Sequence, residues 1–170
     1  MTALSESEIL RKIYDDGLVQ NYKYLGPQLQ PCSFDLTVNT VFDFTGPGVI
    51  DYDNSQRIIA NITGHELVNG EWHLNPGYYK VRFNEIVRLP KDLCAITATR
   101  SSLARCGAQI HVGFWDAGYI GAGEALLTVG NPAGIILKKD AKIAQMIFIK
   151  LSIPVTDGYK GKFQGENIKL

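Results

Sequence analysis

Apolar positions near the start of the chain follow a helical period. Ser5-x-x-Glu8 fits a capping box, in which two side chains satisfy the free amides of the first helical turn. Apolar residues follow at helical spacing: Ile9, Leu10, Ile13 and Tyr14. The run ends at Gly17. This pattern predicts one short amphipathic helix packed on the side of a larger body.

The rest of the chain has the period of β-strands. Glycine and proline recur at short intervals and separate runs rich in Val, Ile, Phe, Tyr and Thr. The alternation of Tyr79, Val81 and Phe83 slips at Glu85, which predicts a strand with a bulge. Further strands are predicted at Leu93–Thr99, Glu124–Val129, Gly134–Leu137 and Ile143–Leu151. We predict a mainly β fold, a β-sandwich or jelly-roll-like β-barrel, with one N-terminal helix.

From about Pro154 the chain has few aliphatic residues and cannot build a core of its own. We therefore predict a barrel domain with its helix over 1–153 and a C-terminal arm over 154–170. The arm places polar and aromatic side chains among glycines: Tyr159, Lys160, Lys162, Phe163 and Gln164. Lysines and glycine amides suit phosphate oxygens, and an aromatic ring can stack on a base. The composition of this arm fits two interpretations, a disordered end of the chain and an ordered lid over a nucleotide.

Composition and charge narrow the class of protein. The 170 residues, 45% of them apolar and 20% charged, indicate one globular domain with or without a short arm and exclude a mainly disordered chain. Seventeen basic residues balance seventeen acidic ones, so we expect no nucleic-acid partner. We expect no membrane partner, because no apolar run reaches the roughly 18 residues of a span.

Cysteine use and the chain start indicate the compartment. Cys32, Cys94 and Cys106 are odd in number and widely spaced, and we expect them to be reduced, buried thiols. No Cys-x-x-Cys pair is present, which argues against a structural zinc site. The start of the chain is polar and acidic, unlike a secretory signal, and the cytoplasm is the expected location.

The densest polar segment follows the predicted strand Leu93–Thr99. It places two hydroxyls between two arginines, at Arg100, Ser101, Ser102 and Arg105. Guanidinium groups bind phosphates with two charge-assisted hydrogen bonds, and serine hydroxyls add short donors, so the segment suits a di- or triphosphate. The same spacing also fits a polar turn that begins a helix.

Three further polar positions are candidates for chemistry. Asp116 lies at a glycine-containing turn between Trp115 and Tyr119, where a carboxylate can activate a water or can form a common Asx turn. Asp35 and Gln145 each interrupt an apolar strand. The carboxylate is either a turn cap or a group aimed at a metal-bound water, and the amide is either part of a structural network or a ligand donor.

His111 lies on a mostly apolar approach to the turn that carries Asp116. We expect it to be a packed core histidine rather than a catalyst.

These segments, in this order, resemble the superfamily of trimeric dUTP pyrophosphatases and dCTP deaminases, with the closest match to archaeal-type dUTPases. The resemblance covers nearly the whole chain and is carried by five segments, at 30–36, 100–105, 115–119, 143–148 and 159–165. The run Arg-Ser-Ser-Leu-Ala-Arg is the most specific of them. The resemblance implies a jelly-roll-like barrel, a homotrimer with sites between subunits, and a mobile C-terminal lid.

The resemblance also implies a role for each matched position. The phosphate-binding run is matched by Arg100, Ser101, Ser102 and Arg105. Gln145 matches the strand glutamine that reaches phosphates, and Asp116 the acid that orients the attacking water. Tyr119 matches the aromatic under the deoxyribose, and Asp35 the acid tied to the water shell of Mg²⁺. The substrate-binding lid is matched by Tyr159, Lys162, Phe163 and Gln164, with Tyr159 or Phe163 stacking on the base.

The superfamily contains two chemistries. Deamination needs a glutamate on the strand after the turn, and counting back from Asn131 puts Thr128 at that position. A threonine hydroxyl is no base near neutral pH, so the resemblance favours hydrolysis of dUTP to dUMP and pyrophosphate with Mg²⁺. The stretch after Asp116 is about two residues longer than the family pattern, and another gap placement makes Glu124 the deaminase glutamate. A dCTP deaminase or bifunctional enzyme therefore stays open, as does a non-catalytic nucleotide-binding trimeric β module.

Overall fold

The computed structural model describes residues 2–168, and strands dominate this part of the chain. Fourteen strands lie within it: β1 (Thr2–Ala3), β2 (Val19–Gln20), β3 (Leu29–Gln30), β4 (Ser33–Phe44), β5 (Ile62–Gly64), β6 (Glu71–Leu74), β7 (Gly77–Phe83), β8 (Ile86–Arg88), β9 (Leu93–Thr99), β10 (Ala108–His111), β11 (Ile120–Gly121), β12 (Glu124–Val129), β13 (Ile135–Lys138) and β14 (Lys142–Lys150). The same part of the chain has three helices: α1 (Glu6–Asp16), α2 (Leu25–Gln28) and α3 (Ser101–Arg105). The prediction of a mainly β fold is confirmed.

The helix α1 lies where the sequence predicts one. The Glu8 carboxylate accepts hydrogen bonds from the backbone amide and the hydroxyl of Ser5, each at 2.8 Å. Ile9 and Ile13 are buried against the sheet. Gly17 ends the helix in the left-handed region, at φ 66°, which glycine adopts without steric cost.

Nine strands form one curled sheet around the core. Its main path runs β1-β14-β4-β7-β12-β10, with β3 and β5 also paired to β4 and β9 to β14. The long strand β4 joins the two halves of this sheet, because its first part pairs with β14 and its second part with β7. Two smaller sheets, β11-β8-β2 and β13-β6, complete the fold.

The bounds of the predicted strands agree closely with the observed ones. The structure differs from the prediction at Glu85, where a bulge was expected. The chain does not bulge there. It leaves the large sheet at the end of β7 and enters the small sheet at β8. Glu85 is fully buried and accepts hydrogen bonds from the amide and hydroxyl of Thr37 on β4. The change in the apolar alternation at Glu85 therefore coincides with a buried polar residue that is hydrogen-bonded to β4.

The cysteine prediction is partly wrong. All three cysteines are free thiols, but Cys32 and Cys106 are exposed and only Cys94 is buried. Cys106 lies directly after the short helix α3, where the chain turns at the surface.

Within residues 2–168, every helix is too short or too polar to cross a bilayer.

Candidate active site

The polar run after β9 forms the short helix α3. Leu103 is buried and fixes the helix to the fold, whereas Ser101, Ser102 and Arg105 are exposed. Arg100 precedes the helix in an extended conformation, and its side chain turns back toward the sheet. The arrangement presents two hydroxyls and one guanidinium to an external anion.

Arg100 and Lys142 share one buried carboxylate. Asp35 on β4 has no exposed surface, and its Oδ2 lies 3.1 Å from Arg100 Nε and 3.1 Å from Lys142 Nζ. Lys142 also donates to the Pro27 carbonyl at 2.7 Å. Gln145 pairs with Asp35 in the antiparallel register of β14 and β4, so both side chains lie on one face of the sheet. Two cations against one carboxylate leave this cluster a surplus of positive charge.

The donor set around Asp35 is compatible with Mg²⁺ held mainly by phosphates and water. Among the described residues, no three His, Cys, Asp or Glu side chains come together as a metal cage. The buried Asp35 Oδ1 accepts no hydrogen bond from the described residues. Mg²⁺ usually keeps several waters and binds through one or two carboxylates and the phosphates of a substrate. A single acceptor of this kind fits that mode.

Asp116 lies on a turn stabilised by the backbone. Trp115 and Ala95 exchange two hydrogen bonds, at 2.9 and 3.1 Å, which ties the start of the turn to β9. The Tyr119 amide donates to the Asp116 carbonyl at 3.1 Å, and Gly118 takes the left-handed conformation at φ 87°. The Asp116 side chain is exposed beside a cavity of about 360 Å³.

Aromatic rings form one wall of this cavity. The buried Tyr119 ring meets Trp115 edge-on at 5.2 Å and Tyr159 at 5.8 Å. Burial raises the pKa of Tyr119, and the neighbouring Glu166 carboxylate raises it further. Phe163 lines the same cavity. The sequence predicted Asp116, Tyr119, Tyr159 and Phe163, and the structure brings all four together.

His111 is not a packed core histidine. It is exposed at the end of β10 and lines the cavity. The strand alternates buried and exposed residues, so Ala108 and Ile110 face the core while His111 faces outward. The prediction of a buried histidine was based on its apolar neighbours in sequence and did not take this alternation into account.

The C-terminal arm follows the turn and the strand after it. The Tyr159 amide donates to the Ala117 carbonyl and the Gly165 amide to the Ile120 carbonyl, both at 2.8 Å. Gln164 donates to the Gly118 carbonyl at 2.9 Å and accepts from the Ile120 amide at 3.0 Å. In this structure Gln164 therefore fastens the arm to its own chain. Lys162 is exposed and does not line the cavity.

The sequence predicted no site role for Lys80 and Glu166, two charged residues that line the cavity. It left Glu124, a third, as the alternative deaminase glutamate. Lys80 and Arg82 both pair with Glu124, the arginine at 3.2 Å. Glu166 accepts a hydrogen bond from the Tyr119 hydroxyl at 2.8 Å. Strand alternation puts Lys80 on the face away from the core, but only the register of β7 and β12 shows that Glu124 lies opposite Arg82. Glu124 is thus neutralised by two cations.

The structure places the predicted site residues in two groups. The cavity beside Asp116 and a second cavity of about 340 Å³ beside α3 share no lining residue. Ala95 pairs with Trp115, next to Asp116, whereas Arg100 lies five residues further along the extended chain, directly after the end of β9. At the usual rise this separation is about 17 Å. We call these two separate groups the phosphate half-site (the group around Arg100) and the turn half-site (the group around Asp116), after the roles that the sequence predicts.

Comparisons with known proteins agree with the geometry. The family model for dCTP deaminase-like proteins matches residues 3–151. A probable deoxyuridine 5'-triphosphate nucleotidohydrolase of Methanococcoides burtonii is 43% identical over 170 residues, covering 99% of this chain and 100% of its own. The deoxyuridine 5'-triphosphate nucleotidohydrolase of Methanocaldococcus jannaschii is 35% identical over 142 residues, covering 81% of this chain and 88% of its own.

A solved structure shares the fold. The crystal structure of 2'-deoxycytidine 5'-triphosphate deaminase from Agrobacterium tumefaciens superposes with a TM-score of 0.62 at 21% identity. The match covers 86% of this chain but only 48% of the deaminase chain, so this protein spans about half its length. The family model, the relatives matched over nearly all of both chains and the shared fold lead to one conclusion. This chain belongs to the dCTP deaminase-like family, as the sequence resemblance implies.

Proposed function

We propose that this protein is a dUTP diphosphatase that hydrolyses dUTP to dUMP and pyrophosphate. One observation at the site carries the proposal. Three carboxylates line the cavity, and of these three only Asp116 has a side chain with neither a hydrogen bond nor an ion pair to the described residues. Glu124 is paired with two cations and Glu166 holds Tyr119. Asp116 is therefore the carboxylate that is free to accept a proton from water.

The relatives support the same reaction. Archaeal proteins named as deoxyuridine 5'-triphosphate nucleotidohydrolases match nearly all of this chain at 43–44% identity. Thr128 has no acid–base group suited to deamination, and Glu124 is held by Lys80 and Arg82. Hydrolysis needs neither of them as a base.

The proposed reaction is an in-line attack of water on the α-phosphorus. Asp116 takes a proton from the water, a new P–O bond forms at the α-phosphorus, and the bond to the bridging oxygen breaks. The electron pair leaves with pyrophosphate, whose charge is stabilised by Arg100, Arg105 and the hydroxyls of α3. Mg²⁺, when bound, would supply further charge neutralisation, and Asp35 Oδ1 would accept a hydrogen bond from its water shell. Tyr119 and the arm hold the nucleoside.

The proposal includes a homotrimer. In one chain the phosphate half-site and the turn half-site are about 17 Å apart along an extended strand, and a neighbour would put α3 of one chain over the turn of another. The jelly-roll-like barrel over 1–153 and the lid over 154–170 belong to the same proposal. A cytoplasmic location is supported by the three free thiols.

The test uses the purified full chain with Mg²⁺ and either dUTP or dCTP, with pyrophosphate and ammonia measured separately. We expect pyrophosphate from dUTP and no ammonia from dCTP. Ammonia from dCTP would make the protein a deaminase and Glu124 the residue to substitute next. Tight nucleotide binding without any product would make it a non-catalytic module and overturn the proposal.

A further inference from the structure

The C-terminal arm holds the aromatic wall of the cavity from two sides. The Tyr119 hydroxyl donates to Glu166 Oε1 at 2.8 Å, and the Tyr159 ring meets the Tyr119 ring edge-on at 5.8 Å. Trp115 packs on the ring from within the fold. The ring is thus fixed by contacts with the arm that lie 40 or more residues away along the chain.

The Glu166 bond occupies the polar end of Tyr119. The hydroxyl has one proton to donate, and that proton is directed at Glu166. Because Tyr119 lines the cavity, what remains for a ligand to meet is its buried apolar ring. A ligand hydroxyl pressed against that ring would lose its water without gaining a partner, which is unfavourable.

We propose that Glu166 is a positioning residue for sugar selection: by holding the Tyr119 hydroxyl, it keeps the ring as a rigid apolar wall that admits 2'-deoxyribose and rejects ribose. The inference rests on the proposed function, because it needs a nucleoside in the cavity. It extends that function by assigning part of the selectivity to the arm rather than to the folded domain alone.

The Glu166 side chain is separable from the anchoring of the arm. The Glu166 carbonyl accepts from the Ala122 amide at 3.0 Å, and the Gly165 amide donates to Ile120 at 2.8 Å. The Asn167 side chain donates to the Ala122 carbonyl at 2.8 Å. None of these bonds uses the Glu166 carboxylate. A change of that carboxylate therefore tests the hold on Tyr119 while the arm remains anchored.

The test compares kcat/KM for dUTP and for UTP in Glu166→Ala, Glu166→Gln and the full-length parent. The glutamine oxygen still accepts from the Tyr119 hydroxyl, so we expect Glu166→Gln to keep the parent selectivity. Loss of one hydrogen bond corresponds to about a tenfold effect, so we expect Glu166→Ala to lower the dUTP:UTP ratio about tenfold, mainly through faster UTP hydrolysis. Asp157→Ala, which removes only an exposed pair with Lys160 on the same arm, is the matched control and leaves the ratio unchanged.

A double-mutant comparison isolates the hydrogen bond. Tyr119→Phe keeps the ring and removes the donor, so Glu166→Ala should lower the ratio no further in that background. An equal loss for dUTP and UTP in Glu166→Ala would overturn the inference and make Glu166 an anchor of the arm alone. Absence of dUTP hydrolysis in the parent would instead overturn the proposed function, and this inference with it.

Discussion

Two buried carboxylates in this molecule are stabilised in different ways. Asp35 has two cations within 3.1 Å of its Oδ2. Glu85 is equally buried, but the bonds to its carboxylate come from uncharged groups, namely Gln28 and the amide and hydroxyl of Thr37. Burial raises the pKa of Glu85 above its ordinary value, and the hydrogen bonds only partly oppose the shift.

The raised pKa of Glu85 makes a prediction about stability and pH. The folded state then binds this proton more tightly than the unfolded chain, whose glutamates titrate near pH ~4.3. The free energy of unfolding should therefore fall as pH rises from the unfolded pKa through the folded one. Chemical denaturation between pH 4 and 7 should show a larger loss in the parent than in Glu85→Gln, which cannot ionise at this position, because burial also raises the pKa of Glu166 and that contribution is common to both.

The exposed Glu66 offers the control for this experiment. Glu66→Gln removes a carboxylate without touching the buried network, so its stability profile should follow that of the parent. Parallel profiles for the parent and Glu85→Gln would show that Glu85 does not titrate between the two states.

At the residue scale, candidate site residues that are neighbours in the sequence could be predicted. Contacts between side chains that are far apart in the sequence could not. The run from Arg100 to Arg105 and the turn at Asp116 each stand out within a few neighbouring residues. Glu166 meets Tyr119 across 47 residues, and its role becomes visible only when the arm is folded back. For His111 the sequence neighbours were misleading: they are mostly apolar and suggested burial, but the alternation of β10 leaves this residue exposed.

At the scale of elements, the turn at Gly118 and the arm are in close contact. A Cβ on Gly118 would lie 2.5 Å from the Gly158 Cα, and the residue sits at φ 87°. The turn therefore needs glycine for two separate reasons, its conformation and the closeness of the arm.

We predict that Gly118→Ala releases the arm. The left-handed conformation alone costs about 1–2 kcal/mol for a residue with a Cβ, and the contact with Gly158 must also open. Hydrogen exchange should show lost protection at the amides of Tyr159 and Gly165, which donate to the turn and to β11. Gly70→Ala is the control, because Gly70 has φ 80° and open space around it.

Comparable protection of the arm in both glycine variants would show that the Gly118–Gly158 contact does not hold it.

The apolar alternation predicted β9 and β12 with their correct bounds. It could not give the path of the arm, because the arm has no period and is held by backbone and amide bonds that any sequence rich in glycine and polar residues can make.

At the scale of the whole molecule, the two half-sites make a prediction about shared sites. Arg105→Ala alters the phosphate half-site and Asp116→Asn the turn half-site, and each variant alone should lose most turnover. If every site combines halves from two chains, random reassembly of the two variants in equal amounts should restore about one quarter of the parent activity. Activity after mixed refolding is the measurement.

The control for mixing pairs two variants of the same half-site, Arg105→Ala with Ser102→Ala. No chain in that mixture brings an intact phosphate half-site, so no activity should return. An equal absence of recovery in the first mixture would mean that each chain completes its own site. The fold class followed from the apolar pattern, whereas the expectation of sites between subunits came from the family resemblance, since composition says nothing about where β9 ends relative to the turn.

The placement of the two tryptophans has a practical consequence. Trp115 is 5% exposed and lines the cavity against Tyr119, whereas Trp72 is 2% exposed on β6 and does not line the cavity. Intrinsic fluorescence from one molecule thus contains a signal from the site and a reference from the small sheet β13-β6. Filling of the cavity or detachment of Tyr159 changes the surroundings of Trp115 alone, so ligand entry can be followed by emission in real time, without a dye or an added label.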